Sequence, residues 1–201
     1  MRMTFTVAIA GATGYAGGEV ARVLLAHPEA DIRTVSAHSS RGKLGEHQPH
    51  LRPLCDRDIQ PLSVDVLAHH DVVVLGLPHG ASAAMTIEIE ALNPDALIVD
   101  LGADHRLESA QAWQEYYGSE AAEPWTYGMP ELIRASGPTQ RELLARATRI
   151  AAPGCNASAV TFAAQPAVVG GRGAAARQTE KKKEGGRGGG QAPHQPPHPT
   201  P

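Results

Sequence analysis

The sequence predicts an α/β protein built on a Rossmann-like, doubly wound and mostly parallel sheet. Three observations predict it. Short apolar runs alternate with helical periodicities, a glycine-rich turn joins the first run to the first helix, and residues 71–77 form a β-branched run apolar enough to be covered on both faces.

The elements follow in order. Val7-Ala8-Ile9-Ala10 is a buried strand ending at Gly11, and Ala16, Val20, Val23, Leu24 and His27 recur at helical spacing until Pro28 closes the helix. Residues 32–37 alternate as a second strand, and a weak third strand lies near Ile59. After the strand at 71–77, Met85, Ile89 and Leu92 mark a helix by their i, i+4, i+7 spacing. Asn93-Pro94-Asp95 turns into a further buried strand at 96–101. Thr139-Gln140-Arg141-Glu142 has the pattern of a capping box and predicts a helix through Ala147. Ile150-Ala151-Ala152 then leads to Pro153-Gly154-Cys155, after which small residues open a last helix. Beyond Gln165, glycine runs, Lys181-Lys182-Lys183 and the prolines from 193 to 201 lack apolar periodicity. Such a stretch buries too little surface to offset its ordering entropy and is expected to be a disordered tail.

With 201 residues the chain has room for one ordinary domain and part of a second. Residues 1–170 hold 19 acidic against 12 basic side chains, so the body offers no broad positive field and no nucleic-acid partner is expected. Cys55 and Cys155 lack the spacing of a disulfide framework, which fits a reducing compartment, the cytoplasm by default. The apolar stretch at 7–12 is too short to span a membrane. His47, His50, His69 and His70 have no metal-ligand spacing, so no metal is expected.

The chemistry lies in two places. Gly11, Gly14 and Gly17 are spaced G-x-x-G-x-x-G, one position off the common dinucleotide fingerprint, and stand between an apolar strand and an amphipathic helix. Glycines there let the chain turn sharply and bring backbone N–H groups to a pyrophosphate at the helix start, so Gly11, Thr13, Gly14, Tyr15, Ala16 and Gly17 are candidate cofactor residues. At the end of the second strand, where NAD sites usually place an acid, the chain has His38-Ser39-Ser40-Arg41. The hydroxyls of Ser39 and Ser40 with the Arg41 guanidinium suit a 2′-phosphate and point to NADP, against the plainer reading of a polar loop holding one arginine. Leu77, Pro78 and His79 follow the central strand at its carboxyl end, where cofactors lie; His79 is equally readable as a surface histidine. The second place is Cys155. A thiolate opening a helix faces unpaired N–H groups and the positive end of the helix dipole, the setting of a nucleophile rather than of a structural cysteine. Asp100, Asp104 and Arg106 follow a strand toward the same edge, with helix capping and loop bracing slightly favoured over ligand contact for the aspartates.

These residues resemble the N-acetyl-gamma-glutamyl-phosphate reductase family, the NADP-dependent reductases of arginine biosynthesis. The matching pieces are Gly11-Ala12-Thr13-Gly14-Tyr15-Ala16-Gly17-Gly18-Glu19, Pro49-His50-Leu51, Leu77-Pro78-His79-Gly80, Asp100-Leu101-Gly102-Ala103-Asp104, Tyr127-Gly128-Met129-Pro130-Glu131 and Pro153-Gly154-Cys155, collinear over residues 5–163. The resemblance implies a small-molecule acyl phosphate as substrate and a homo-oligomer. It also implies a Cys155 thioester that NADPH reduces to an aldehyde. On this reading, residues 1–152 are the NADP-binding Rossmann domain and 153–165 begin a catalytic and oligomerisation α+β domain, while 166–201 are low-complexity tail. His105 stands where the family has phenylalanine, and Asn156-Ala157-Ser158 departs from the usual residues after the cysteine. The family's second domain also supplies a histidine. His194 and His198 match no family motif, so no base is assigned and impaired turnover is expected. The competing readings are a truncated or frame-shifted nucleotide-binding fragment, and a relative such as aspartate-semialdehyde dehydrogenase. Tyr15 and the 127–131 segment favour the acetylglutamyl enzyme over the latter.

Overall fold

A computed structural model describes residues 4–169. Its strands are β1 (Phe5–Ala10), β2 (Ala30–Ala37), β3 (Gln60–Pro61), β4 (Val72–Leu75), β5 (Leu97–Asp100), β6 (Thr126–Tyr127) and β7 (Arg149–Ala151). Between and after them run α1 (Tyr15–Leu24), α2 (Val64–Leu67), α3 (Ser82–Leu92), α4 (Ala110–Tyr117), α5 (Gln140–Leu144) and α6 (Cys155–Val169). The strands form one sheet in the order β3-β2-β1-β4-β5-β7-β6, each parallel to its neighbours. The path from β1 through α1 to β2 goes one way, and the path from β4 through α3 to β5 goes the other. The winding therefore reverses between β1 and β4, the place where open α/β sheets bind ligands.

The alternation along each strand builds two cores. Val7, Ile9, Ile32, Val35 and Val74 gather on the face under α1, with Leu44, Leu51 and Leu54 from the segment after β2. Ala8, Ala10, Val73, Leu75 and Ile98 gather on the other, under Leu67 of α2 and Ile89 of α3. Alanines at two of the four positions on the second face of β1 and β4 make room for those helices. At the amino ends of the same two strands, Thr6 donates its N–H and hydroxyl to Asp71 Oδ2 at 2.7 and 2.8 Å. Those bonds hold the Asp71 carboxyl below the usual carboxylate range.

The helix starts divide into capped and open. Ser63 caps α2, Ser109 caps α4, and Thr139 with Glu142 forms the expected capping box on α5. Neither Gly14 before α1 nor Ala81 before α3 supplies a side-chain cap. The expected elements are present; β1 and β2 begin two residues earlier than expected, whereas β4 and β5 are shorter and α5 ends at Leu144 rather than Ala147. Three were not foreseen: α2, α4 and β6. Residues 166–169, assigned to the tail, are helical instead, because the alanine-rich start of α6 carries the helix through Pro166 to Val169. The rest of the expected tail lies outside the described residues. The chain divides into units Met1–Ser158 and Ala159–Pro201, so Cys155 belongs to the same unit as the sheet.

Ser36 in β2 is fully buried, and its Oγ has no hydrogen-bond partner. An unpaired hydroxyl in a dry site costs stability, so Ser36→Ala is expected to raise stability by about 1 kcal/mol. The measurement is the midpoint of urea denaturation, and a lowered midpoint would show that the hydroxyl has a partner.

Candidate active site

The turn from β1 into α1 depends on Gly11, which has φ +73; a Cβ there would lie 2.1 Å from the carbonyl oxygen of Gly76, just beyond β4. Gly11 and Ala12 donate their N–H groups to Ser36 O at 2.9 and 3.1 Å, and Gly76 donates to Ala10 O at 2.9 Å. The carboxyl ends of β2, β1 and β4 are thus bound together around this turn. Gly14 holds the N-cap of α1 with no side-chain bond, and no acid stands in the first turn. No side-chain oxygen caps the N–H groups there, and the glycine cradle leaves backbone in place of side chains. A pyrophosphate fits such a cradle. Ala16 and the fully exposed Tyr15 begin the helix.

The loop after β2 meets this turn. Thr13 Oγ1 lies 3.2 Å from Ser40 Oγ, and the exposed Arg41 folds its Nη1 onto Ser40 O at 2.8 Å and His38 O at 3.2 Å. Thr13, Ser39, Ser40 and Arg41 therefore share one rim beside the open start of α1.

The third predicted segment follows β4. Leu77 is half-buried, while Pro78 and His79 are exposed, His79 standing edge-on to Tyr117 at 6.0 Å. The shape of this loop is imposed by Asp104. Its carboxylate accepts the N–H of Gly80 at 2.7 Å, of Ser82 at 3.0 Å and of Ala83 at 3.1 Å, and so caps α3 from outside the helix. This is the bracing role favoured for the aspartates. Burial alone would push the Asp104 carboxyl up, but the hydrogen bonds from Gly80, Ala83 and Ser82 together outweigh it and hold it below the usual range. Asp100, fully buried at the end of β5, goes the other way. Burial raises it against the bonds from the Gly102 N–H and the Ser82 hydroxyl.

Arg106, two residues beyond Asp104, braces the cysteine turn. Its Nε donates to Ala152 O and its Nη2 to Leu101 O, each at 2.7 Å, which joins the end of β5 to the end of β7. Its Nη1 lies 3.1 Å from where a Cβ on Gly154 would stand, so glycine at 154 lets the guanidinium reach the residue before the thiol. Cys155 then opens α6 with its thiol exposed, 4.0 Å from Asn156 Oδ1. The 127–131 segment supports the same turn: Gly128 N–H donates to Ala151 O at 2.8 Å, Gln140 Nε2 donates to Tyr127 O at 2.6 Å, and Met129 is buried. His105 stacks on Trp125 at 3.7 Å and 7°, which accounts for a flat ring at that position.

All the predicted residues thus follow carboxyl ends of parallel strands in one unit. The glycine turn and the Ser40 loop touch each other. Cys155 and His79 are linked through the 100–106 segment rather than by contact. One buried polar residue went unnoticed in the sequence, Gln48, which reaches the glycine turn; with Thr13, Tyr15, Glu19, His47 and His50 it lines a cleft of about 420 Å³. Among the described residues no three His, Cys, Asp or Glu side chains are placed to hold a metal ion, and no helix is long and apolar enough to cross a membrane.

A reversed parallel sheet with a glycine turn at its switch point and a thiol at its edge defines a dinucleotide-binding domain of the dehydrogenase type. The chain belongs to the family of semialdehyde dehydrogenase NAD-binding domains, which it matches over residues 6–137. More particularly, it is 53% identical over 173 residues to the N-acetyl-gamma-glutamyl-phosphate reductase of Bifidobacterium animalis subsp. lactis (strain AD011), covering 83% of this chain and 47% of that protein. It is 54% identical over 170 residues to the reductase of the same name from Leifsonia xyli subsp. xyli (strain CTCB07), covering 84% and 48%. The chain spans about half the length of the curated relatives it matches. Among solved structures, aspartate semialdehyde dehydrogenase II of Vibrio cholerae complexed with ASA aligns with a TM-score of 0.49 and 15% identity, over 82% of this chain and 46% of that one.

The capping role of Asp104 has a measurable sign. A carboxyl held below its unfolded value contributes stability that is present above that value and lost as pH falls through the folded one. Asp104→Asn is expected to cost about 1–2 kcal/mol at neutral pH. In thermal melts taken from neutral to acid pH, the gap between variant and wild type should close below the ordinary carboxylate range. A gap independent of pH would separate the cap from the charge.

Proposed function

We propose that this chain carries the cofactor half and the nucleophile of an NADPH-dependent reductase that converts N-acetyl-gamma-glutamyl phosphate to N-acetylglutamate 5-semialdehyde and inorganic phosphate. The observation that carries the reading is the Arg106 clamp, which sets the exposed Cys155 turn on the same sheet edge as the glycine turn. Identity above half to relatives of that name supports the substrate.

In this reading Gly11, Thr13, Gly14, Tyr15, Ala16 and Gly17 hold the pyrophosphate, Ser39, Ser40 and Arg41 receive the 2′-phosphate, and Leu77, Pro78 and His79 line the cleft toward the nicotinamide. Bound NADPH supplies a hydride. The Cys155 thiolate attacks the carbonyl carbon of the acyl phosphate, forms a C–S bond, and expels phosphate as the C–O bond breaks. Hydride addition to the thioester carbon gives a tetrahedral oxyanion, for which the N–H groups at the start of α6 are the donors. Collapse of that adduct breaks the C–S bond, releases the aldehyde and returns the thiolate. Arg106 places positive charge one residue from the sulfur and suits the departing phosphate. The resemblance implies a proton-handling histidine that is assigned to none of the described residues, and weak turnover is part of the proposal. A free, exposed thiol fits a reducing cytoplasm.

The test runs the reaction backward with N-acetylglutamate 5-semialdehyde, phosphate and NADP, with aspartate semialdehyde in parallel. Weak turnover of the acetylated substrate, abolished in Cys155→Ser, is expected. Turnover that survives Cys155→Ser would remove the thiol from the reaction, and preference for aspartate semialdehyde would change the substrate. By calorimetric titration NADP should bind more tightly than NAD, and Arg41→Ala should weaken NADP about tenfold with little effect on NAD. Equal affinities in the wild type would sink the assignment of Ser39, Ser40 and Arg41.

A further inference from the structure

We propose that Gln48 is a positioning residue for the glycine turn, holding it from behind so that its N–H groups face the dinucleotide phosphates. The proposal rests on the cofactor reading above. Gln48 is buried, with 9% of its surface exposed, and its backbone is fixed by its own N–H to Leu44 O at 2.8 Å and by Leu51 N–H to its carbonyl at 3.0 Å. Leu44 and Leu51 are both core residues, so the side chain projects from an anchored stem. Its Nε2 lies 3.0 Å from Gly14 O, 3.1 Å from Thr13 O and 3.4 Å from Ala12 O. An amide nitrogen has two hydrogens, and the two short contacts use both.

Those carbonyls decide where the turn's donors point. In a trans peptide the C=O and the following N–H are opposed, so drawing Gly14 O toward Gln48 turns the N–H of Tyr15 to the far side, while the N–H of Gly14, which follows Thr13 O, is taken by Gly11 O at 3.0 Å. That far side is the one an anion at the start of α1 would occupy. The glycine at 18 belongs to the same device. A Cβ there would lie 2.4 Å from Gln48 Nε2, so Gly18 keeps open on α1 the gap that the amide fills. Two residues far apart in sequence act as lock and socket.

The experiment titrates the full chain with NADP and with adenosine 2′-monophosphate, which has the 2′-phosphate but no pyrophosphate. Gln48→Leu should weaken NADP about tenfold, the loss of one to two hydrogen bonds acting through the turn, and leave adenosine 2′-monophosphate within about twofold. Gln48→Glu, of the same shape but with a carboxylate against the carbonyls, should weaken NADP further. Gly18→Ala should reproduce the Gln48→Leu loss, and the two together should cost no more than either alone. Gln48→Asn, which keeps the donor on a shorter arm, should show the same split between probes at smaller size. Equal losses for both probes in Gln48→Asn and Gly18→Ala would mean a merely structural role and overturn the proposal. Unchanged NADP affinity in Gln48→Leu would overturn it while leaving the cofactor reading intact. A wild-type chain that binds neither NADP nor NAD would overturn the cofactor reading itself.

Discussion

The structure depends on the backbone contact between the end of β1 and the residue after β4. Gly76 donates to Ala10 O, and Gly11 turns away against the Gly76 carbonyl at a distance no side chain allows. Because the sheet reverses its winding between these two strands, the contact fixes where helices on opposite faces begin. The glycine turn, the loop of Ser40 and the loop of His79 all take their origin from it. A single added methyl at Gly11 would force apart the strands whose closeness makes the cleft.

The segment after β5 then performs two tasks within a few residues. Asp104 reaches one way to shape the loop after β4 and start α3; Arg106 reaches the other way to bind the ends of β5 and β7 beneath Cys155. The loop after β4 and the Cys155 turn are thereby referred to one stretch of backbone, itself rooted in the core by Asp100. Burying Asp100 works against its charge, which is a cost the segment bears for its position.

Much of this was legible in the sequence, for reasons that differ by residue. The glycine turn could be read because its requirement is backbone geometry, which glycine spacing records directly. The strands could be read because β-branched runs have no helical alternative at their length. Gln48 could not, since its partners lie some 34 to 36 residues away and an amide carries no local signature of what it will hold. The α4 helix was missed because it buries only Trp113, so its apolar stripe is faint; its readable signals were Ser109 before it and Gly118 after it at φ 69. With two residues, β6 is too short to show a period, and only its neighbours make it a strand. For Asp104 the kind of role was readable and the partner was not, because capping from outside a helix leaves no mark in that helix's own sequence.

The inventory of helix starts leaves an asymmetry. Four of the helices begin against an oxygen that the protein itself provides, from Ser63, Asp104, Ser109 and Thr139. The other two described helices, α1 and α6, begin after glycine, which has no side chain to supply such an oxygen. Against serine a glycine N-cap gives up only a few tenths of a kcal/mol, so the fold leaves these two helix starts open at little cost in stability. Incompleteness of this kind is a form of selectivity. A fold of parallel strands points many helix dipoles at one edge, and plugging all but two of them decides in advance where an anion can complete the structure.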